Sequence, residues 1–376
     1  MEPLCHIPWS WLEVDLDKKN IRNCCKTKWY KDDDFKLFQH DEIIKRRIDF
    51  LNGVKSDDCS HCWKLEELGQ TSYRQFTKNN PYLKTDNFNI DTSVPSTLSI
   101  NLGSLCNIAC SYCNEEYSTV WAAEKKIPIK LDLVNHFELK ILNWLESIIL
   151  NNKLKHIILI GGEPTINPSF YKILELLKSI GPKRSNPLKV TIQTNGMFNI
   201  RQRNSIIEYS DISNCHFTYR FSIDAVGARA EFIRNGLDWD CFKNNFEALM
   251  ASSARVTIHP TLSIYSLGGL KDLLDWVESY DYEWEDFGSN HLEGPYVMSL
   301  RSLGNLSQEL IPDLPIYKNK KIQEYSVRTK RFIKSFKEEP NIKEVFHGID
   351  YHSSRSKILK EDAIPDLLKL LDKYSI

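Results

Sequence analysis

Thr97-Leu-Ser-Ile-Asn-Leu102 and, directly downstream, Cys106-Asn-Ile-Ala-Cys110-Ser-Tyr-Cys113 form the stretch on which the fold turns. The first half alternates apolar and polar residues, which predicts a strand. The second half puts three thiols on the loop that leaves it. Downstream, an apolar helical run over residues 131–150 leads to His156-Ile-Ile-Leu-Ile160, a short continuous apolar strand of the kind found where both faces of a parallel sheet are covered. Residues 169–180 then carry Phe170, Ile173, Leu174 and Leu177 at helical spacing, with Gly181 placed as a C-cap. The alternation continues through a strand at 189–193 and a helix, a strand at 216–223 and a helix through Asn245, a strand at 255–262 and a helix at 270–279, and a last strand at 296–300. About six β/α units imply either an open doubly wound sheet or a full or partial barrel. In a barrel, chemistry gathers at the carboxyl ends of the strands.

At 376 residues the chain can bury one large core and carry a smaller satellite. A net charge of −1 excludes the one-sided basic field of a general nucleic-acid binder. The start, Met1-Glu-Pro-Leu-Cys-His, lacks a basic, apolar secretory signal, and no stretch is long and apolar enough to span a bilayer, so a cytoplasmic protein without a membrane partner is expected. Ten cysteines in such a chain point to metal ligation or redox chemistry. Five lie near the amino terminus (Cys5, Cys24, Cys25, Cys59, Cys62) and three on the loop already quoted, while Cys215 and Cys241 stand apart and read as small apolar residues. The polar, proline-punctuated segment from Asn79 to Ser96 reads as a connector. The expected divisions are residues 1–95, 96–302 and a Lys-rich helical extension over 303–376.

Three thiolates on one short loop can wrap a cubane 4Fe-4S cluster and leave one iron without a protein ligand. An open coordination position is where a substrate or cofactor binds a metal directly. A zinc site short of a ligand, or a structural cluster with a remote fourth cysteine, are the rival readings. Other strand ends carry their own signals: Gly161-Gly162-Glu163-Pro164, Thr194-Asn195-Gly196, Ser222-Ile-Asp224 and, in the next connection, Arg234. Each alone is turn or cap chemistry. Their recurrence at successive strand ends points to one ligand site.

The Cys-x3-Cys-x2-Cys loop with an aromatic before its last cysteine, the Gly-Gly-Glu-Pro turn, the Thr-Asn-Gly end and the Ser-Ile-Asp end, in this order, resemble the radical S-adenosylmethionine (SAM) superfamily over residues 96–300. The resemblance implies a partial (β/α)6 TIM-like barrel, a 4Fe-4S cluster on Cys106, Cys110 and Cys113, and SAM laid across the strand ends. It implies that Gly161, Gly162 and Glu163 meet the amino group of SAM, Ser222 and Asp224 its ribose or carboxylate side, and Arg234 its carboxylate. Tyr112 would lie near the adenine, with Thr194 and Asn195 completing the cofactor contacts. An electron donor such as a flavodoxin or ferredoxin is the implied partner.

The amino-terminal cysteines fit a tetrahedral structural zinc site. The segment also resembles the N-terminal twitch modules, small relatives of the SPASM domain that carry an auxiliary 4Fe-4S cluster, over residues 4–80. On that resemblance Cys5, Cys24, Cys59 and Cys62 are ligands and Cys25 is not. The glycine expected before the Cys24-Cys25 pair is Lys19 or Asn20 here, which leaves the turn geometry open. The function expected is reductive cleavage of SAM for hydrogen abstraction from a peptide, a protein side chain or a small natural-product precursor. The alternatives are a zinc-stabilised, non-catalytic binding protein and a radical SAM enzyme acting on RNA or nucleotides, the latter suggested only by a basic run at 318–331.

Overall fold

The computed structural model describes residues 4–67, 69, 71–128, 136–284, 287, 288 and 290–374. The start of the helical run expected at 131–150 lies outside these residues; the described part is the helix His136–Ile149. The chain forms two compact units. The first comprises Met1–Leu105, Lys130–Gln193 and Asn204–Thr218, and the second Cys106–Ile129, Thr194–Arg203 and Tyr219–Ile376. Neither unit ends at residue 95 or 302.

The longer strands are β1 (Trp11–Asp15), β2 (Asn20–Arg22), β3 (Tyr30–Lys31), β4 (Thr97–Asn101), β5 (His156–Ile160), β6 (Leu188–Thr194), β7 (Cys215–Phe221) and β8 (Arg255–Ile258). In the first unit they lie in the order β7-β6-β5-β4-β1-β2-β3. Strands β1, β4, β5 and β6 run parallel, and β2 and β3 add antiparallel pairs at the edge. The register aligns two apolar rows: Leu12, Leu98, Ile157 and Val190, then Val14, Ile100, Leu159 and Ile192. All eight side chains are fully buried. Burial of each stabilises by about 1.5–3 kcal/mol, which fixes the register because a one-residue slip would move a whole row to the opposite face. The amino-terminal segment, expected as a module of its own, thus supplies β1 as a parallel neighbour of β4.

Gly181 is not a left-handed cap, since its φ is −48°. A methyl there would come within 3.0 Å of the Cys215 sulfur and the Ser213 carbonyl, so the residue is small because the chain passes close by.

In the second unit, Ser222 N–H donates to the Thr194 carbonyl and His259 N–H to the Phe221 carbonyl, each at 2.8 Å. The carboxyl ends of β6, β7 and β8 are thereby held side by side. An aromatic layer backs them: Phe221 meets Phe242 and Phe246 edge-on, with centroids 5.6 and 5.2 Å apart, and Trp276 packs on Phe246 at 5.1 Å. The single helix expected through Asn245 is two helices, Gly227–Ile233 and Trp239–Met250. Gly236, at φ +98°, breaks the run, and Asp238 caps the second helix by accepting from Cys241 N–H at 2.7 Å. The strand expected at 296–300 is absent. Tyr296–Met298 is a 3-10 turn, and the Ser299 hydroxyl caps a helix over Leu300–Leu303, so polar capping overrides an apolar run too short to pair. The carboxyl-terminal region is helical, with Lys320–Ile333, Ile342–Ser353 and Pro365–Tyr374. Among the described residues no helix is long and apolar enough to cross a membrane.

Candidate functional site

The break at Gly236 has a structural result. The two residues freed ahead of it, Arg234–Asn235, pair antiparallel with Ala109–Cys110 of the cysteine loop, setting Cys110 opposite Arg234. Ser111 N–H extends the pairing to the Ile233 carbonyl at 2.8 Å. Thr119 clamps the start of the loop by donating to the Cys106 carbonyl at 2.9 Å and accepting from its N–H at 3.1 Å. The Trp121 indole donates to the Cys110 carbonyl at 2.8 Å, and the Ser118 hydroxyl to that of Ile108 at 2.8 Å. The backbone of the three-cysteine loop is therefore held by bonds from neighbouring residues. Thr119 and Trp121 escaped the sequence reading, because nothing in a Ser-Thr-Val-Trp run marks its hydroxyl and indole as aimed back at a loop.

Donors also face the sulfurs. Arg234 approaches the Cys110 sulfur at 3.6 Å, and the Asn195 amide approaches that of Cys106 at 3.9 Å. Burial pushes the Cys110 thiol up to about 12, against the pull of Arg234. Burial likewise raises Cys113.

Asp224 is the hub of this unit's site. It accepts from Arg234 at 3.1 Å, Tyr112 hydroxyl at 2.7 Å and Thr261 N–H at 2.7 Å. Arg234 and Asp224 are 5% and 1% exposed, so the pair is desolvated and each depends on the other. Burial works against the Arg234 charge, but Asp224 outweighs it and keeps the guanidinium protonated. Burial raises the Tyr112 phenol, which stays neutral and donates. The Ser111 hydroxyl is buried in the loop without a hydrogen-bond partner, and Arg234 Nε, though 3.0 Å from Asp224, is not aligned to bond it. These orphaned donors suit a site that takes a ligand. Asn195 also donates to Asn107 at 2.9 Å and accepts from Met197 N–H at 2.8 Å, while Thr194 accepts from Gly196 N–H at 3.0 Å. Cys106, Cys110, Cys113, Tyr112, Thr194, Asn195, Ser222, Asp224 and Arg234 all belong to this second unit.

Gly161, Gly162 and Glu163 belong to the first unit. Gly162 N–H donates to the Gly103 carbonyl at 2.8 Å and Glu163 N–H to that of Leu105 at 2.7 Å. A methyl on Gly162 would overlap the Leu105 carbonyl, and Gly161, at φ +144°, has room for none. The glycines thus let this turn lie against the backbone that runs into the cysteine loop. The Glu163 carboxylate, 1% exposed, accepts from Thr165 N–H at 3.0 Å and from its hydroxyl at 2.6 Å. Asp17 secures the same stretch from the other side, accepting from Ser104 N–H at 3.0 Å.

Also in the first unit, Cys5, Cys24, Cys59 and Cys62 line one cavity with Arg46, Arg74, Asn23 and Tyr73. Cys25 is exposed. Burial pushes Cys5 up to about 12 and Cys59 to about 11. Lys19 has φ 54°, the left-handed conformation that favours glycine, in the turn between β1 and β2. The turn expected to need glycine is therefore made, with lysine under mild strain. Among the described residues no group of three or more His, Cys, Asp or Glu is gathered so as to hold a metal ion. Tetrahedral zinc would draw its thiolates to about 3.8 Å of one another, whereas the corners of a cubane stand farther apart.

Residues 100–277 match the model of the Radical SAM superfamily. A GTP 3',8-cyclase of Streptomyces coelicolor is 24% identical over 201 residues, 52% of this chain and 53% of that protein. The chain thus spans about half the length of this curated relative. Among solved structures, native anSMEcpe with bound AdoMet is 19% identical, with 57% of this chain and 58% of that one covered and a TM-score of 0.44. Streptococcus suis SuiB bound to its precursor peptide SuiA is 16% identical, with 74% and 60% covered and a TM-score of 0.40. Both scores are too low to carry any argument about this chain.

Proposed function

We propose that this chain, built around a radical SAM domain, cleaves SAM reductively to start hydrogen abstraction from a peptide, a protein side chain or a small natural-product precursor. Cys106, Cys110 and Cys113 hold the 4Fe-4S cluster. When bound, the cluster would supply one electron to the SAM sulfonium, whose C5'–S bond would break to release methionine and furnish the group that abstracts hydrogen. The protein's own part is positional. Arg234 and Asn195 set a charged and a neutral N–H donor beside two of the sulfurs, and Asp224 holds Arg234 and Tyr112 in place. Ser222, Asp224, Thr194, Asn195, Tyr112 and Arg234 are assigned contacts to SAM. Gly161, Gly162 and Glu163 are assigned its ammonium group on the sequence resemblance alone. A low-potential donor such as flavodoxin or ferredoxin would supply the electron, and Cys5, Cys24, Cys59 and Cys62 an auxiliary 4Fe-4S cluster.

The observation that carries this reading is the preformed three-cysteine loop, clamped by Thr119 and Trp121 and faced by Arg234. Its test is production of 5'-deoxyadenosine by anaerobically reconstituted protein given dithionite and SAM. Formation that is lost on replacing any of the three loop cysteines supports it; a cluster-replete sample that forms none overturns it.

One observation favours a second substrate class. A groove on the helix Lys320–Ile333 is lined by Lys320, Lys321, Arg328 and Arg331, with Glu324 among them. Such a surface suits an anionic substrate, and the Streptomyces coelicolor relative is named for one, GTP. Turnover of GTP under the same conditions would select this reading.

A further inference from the structure

The cavity of the amino-terminal cysteines is not lined by thiols alone. Arg46 and Arg74 line it too, and both guanidinium groups are inward-facing, with side chains 3% and 7% exposed. Arg46 bonds Asn23, the Tyr30 hydroxyl at 2.5 Å and Asp58 at 2.6 Å, while its Nε is buried with no hydrogen-bond partner. Arg74 pairs with Glu66, donates to the Leu4 carbonyl at 3.1 Å and lies 4.9 Å over the Trp63 ring. The balancing carboxylates stand nearer solvent, at 22% for Asp58 and 18% for Glu66. Water screens them more than it screens the arginines, so each pair shows the cavity its positive end.

Four cysteines supply a full set of protein ligands for a cubane, leaving no open iron for substrate. What the protein can still adjust there is the potential, which net charge, hydrogen bonds to sulfur and solvent exposure control. We propose that Arg46 and Arg74 raise the reduction potential of the cluster on Cys5, Cys24, Cys59 and Cys62. The reduced cluster carries one more negative charge than the oxidised one, and two buried guanidinium groups favour the state with more negative charge.

This inference rests on the auxiliary-cluster reading, and the test separates the two. The full-length chain with Cys106, Cys110 and Cys113 all replaced by alanine retains only the amino-terminal site, and its midpoint is read by redox titration with electron paramagnetic resonance. Arg74→Gln is expected to lower the ratio of reduced to oxidised cluster at a fixed potential at least tenfold, about 59 mV for a one-electron couple. Arg46→Gln should act in the same direction. Arg74→Lys keeps the charge but loses the paired fork to Glu66, so it should cost stability while leaving the midpoint within a threefold change in that ratio. Midpoints that are unchanged in both Gln variants overturn the role of the arginines with the cluster reading intact. Absence of iron, or zinc in its place, in the triple-alanine chain overturns both.

Discussion

The two cysteine groups are assembled in opposite ways. Cys106, Cys110 and Cys113 sit within one short loop, and distant residues such as Arg234, Thr119 and Trp121 come to it. Cys5, Cys24, Cys59 and Cys62 are spread over nearly sixty residues and meet because Ile7, Pro8, Asn23, Tyr73 and the helices Asp41–Leu51 and Ser60–Glu67 surround one cavity. A local loop can leave a coordination position open, whereas a dispersed set of four closes it. The contrast extends to charge. Arg234 has a fully buried partner in Asp224, while the partners of Arg46 and Arg74 are 22% and 18% exposed. The first arrangement fixes geometry; the second leaves a net positive field.

The largest expected effect that sharpens this contrast comes from the two arginine–carboxylate pairs. Asp224→Asn leaves Arg234 buried without its counter-charge and should cost about 3–5 kcal/mol, seen as a lower Tm. Glu66→Gln, at the partly solvated pair, should cost less than Asp224→Asn, because water reaches Glu66 and not Asp224. Equal losses would break the distinction.

Acid should strike the second unit through His352. This ring is buried beside Tyr265 with Arg355 nearby, and burial first, then Arg355, lowers its pKa from 6.5 to about 4. The folded state therefore holds a neutral ring where the unfolded chain takes up a proton. Stability from this residue is complete above pH 6.5 and is lost as pH falls towards 4. The loss should be on the order of 1–3 kcal/mol by pH 4, and His352→Gln should flatten the slope of stability between these values. An unchanged slope would contradict the buried neutral ring.

The smallest effect tests the turn beside the dispersed cysteines. Lys19→Gly relieves the left-handed strain at φ 54° and should raise stability by about 0.5–1 kcal/mol, while Lys19→Ala should not.

The sequence made the loop site legible because its signal is local: three thiols in one run, and short motifs at strand ends that survive without knowing what they touch. The alternation that predicts β4, β5, β6 and β7 is equally local. What stayed hidden depends on long-range packing. Trp11–Asp15 gives no sign on its own that it will pair with Thr97–Asn101, since one buried strand resembles another until its partner is known. The apolar run at 296–300 misled because a serine cap decides it. Gly181 and Gly162 read as turn residues, yet their small size serves close approach of another chain segment. The arginines around the amino-terminal cavity are separated from its cysteines in sequence and carry no motif.

The central claim is that one cysteine group leaves an iron open to SAM and the other does not. The most direct measurement is electron paramagnetic resonance of the reduced, reconstituted chain as SAM is titrated in. The account requires two 4Fe-4S signals, about eight iron atoms per chain, of which SAM alters only the one lost on replacing Cys106, Cys110 and Cys113. A single signal that disappears with those three cysteines, or a SAM response that persists without them, would contradict it.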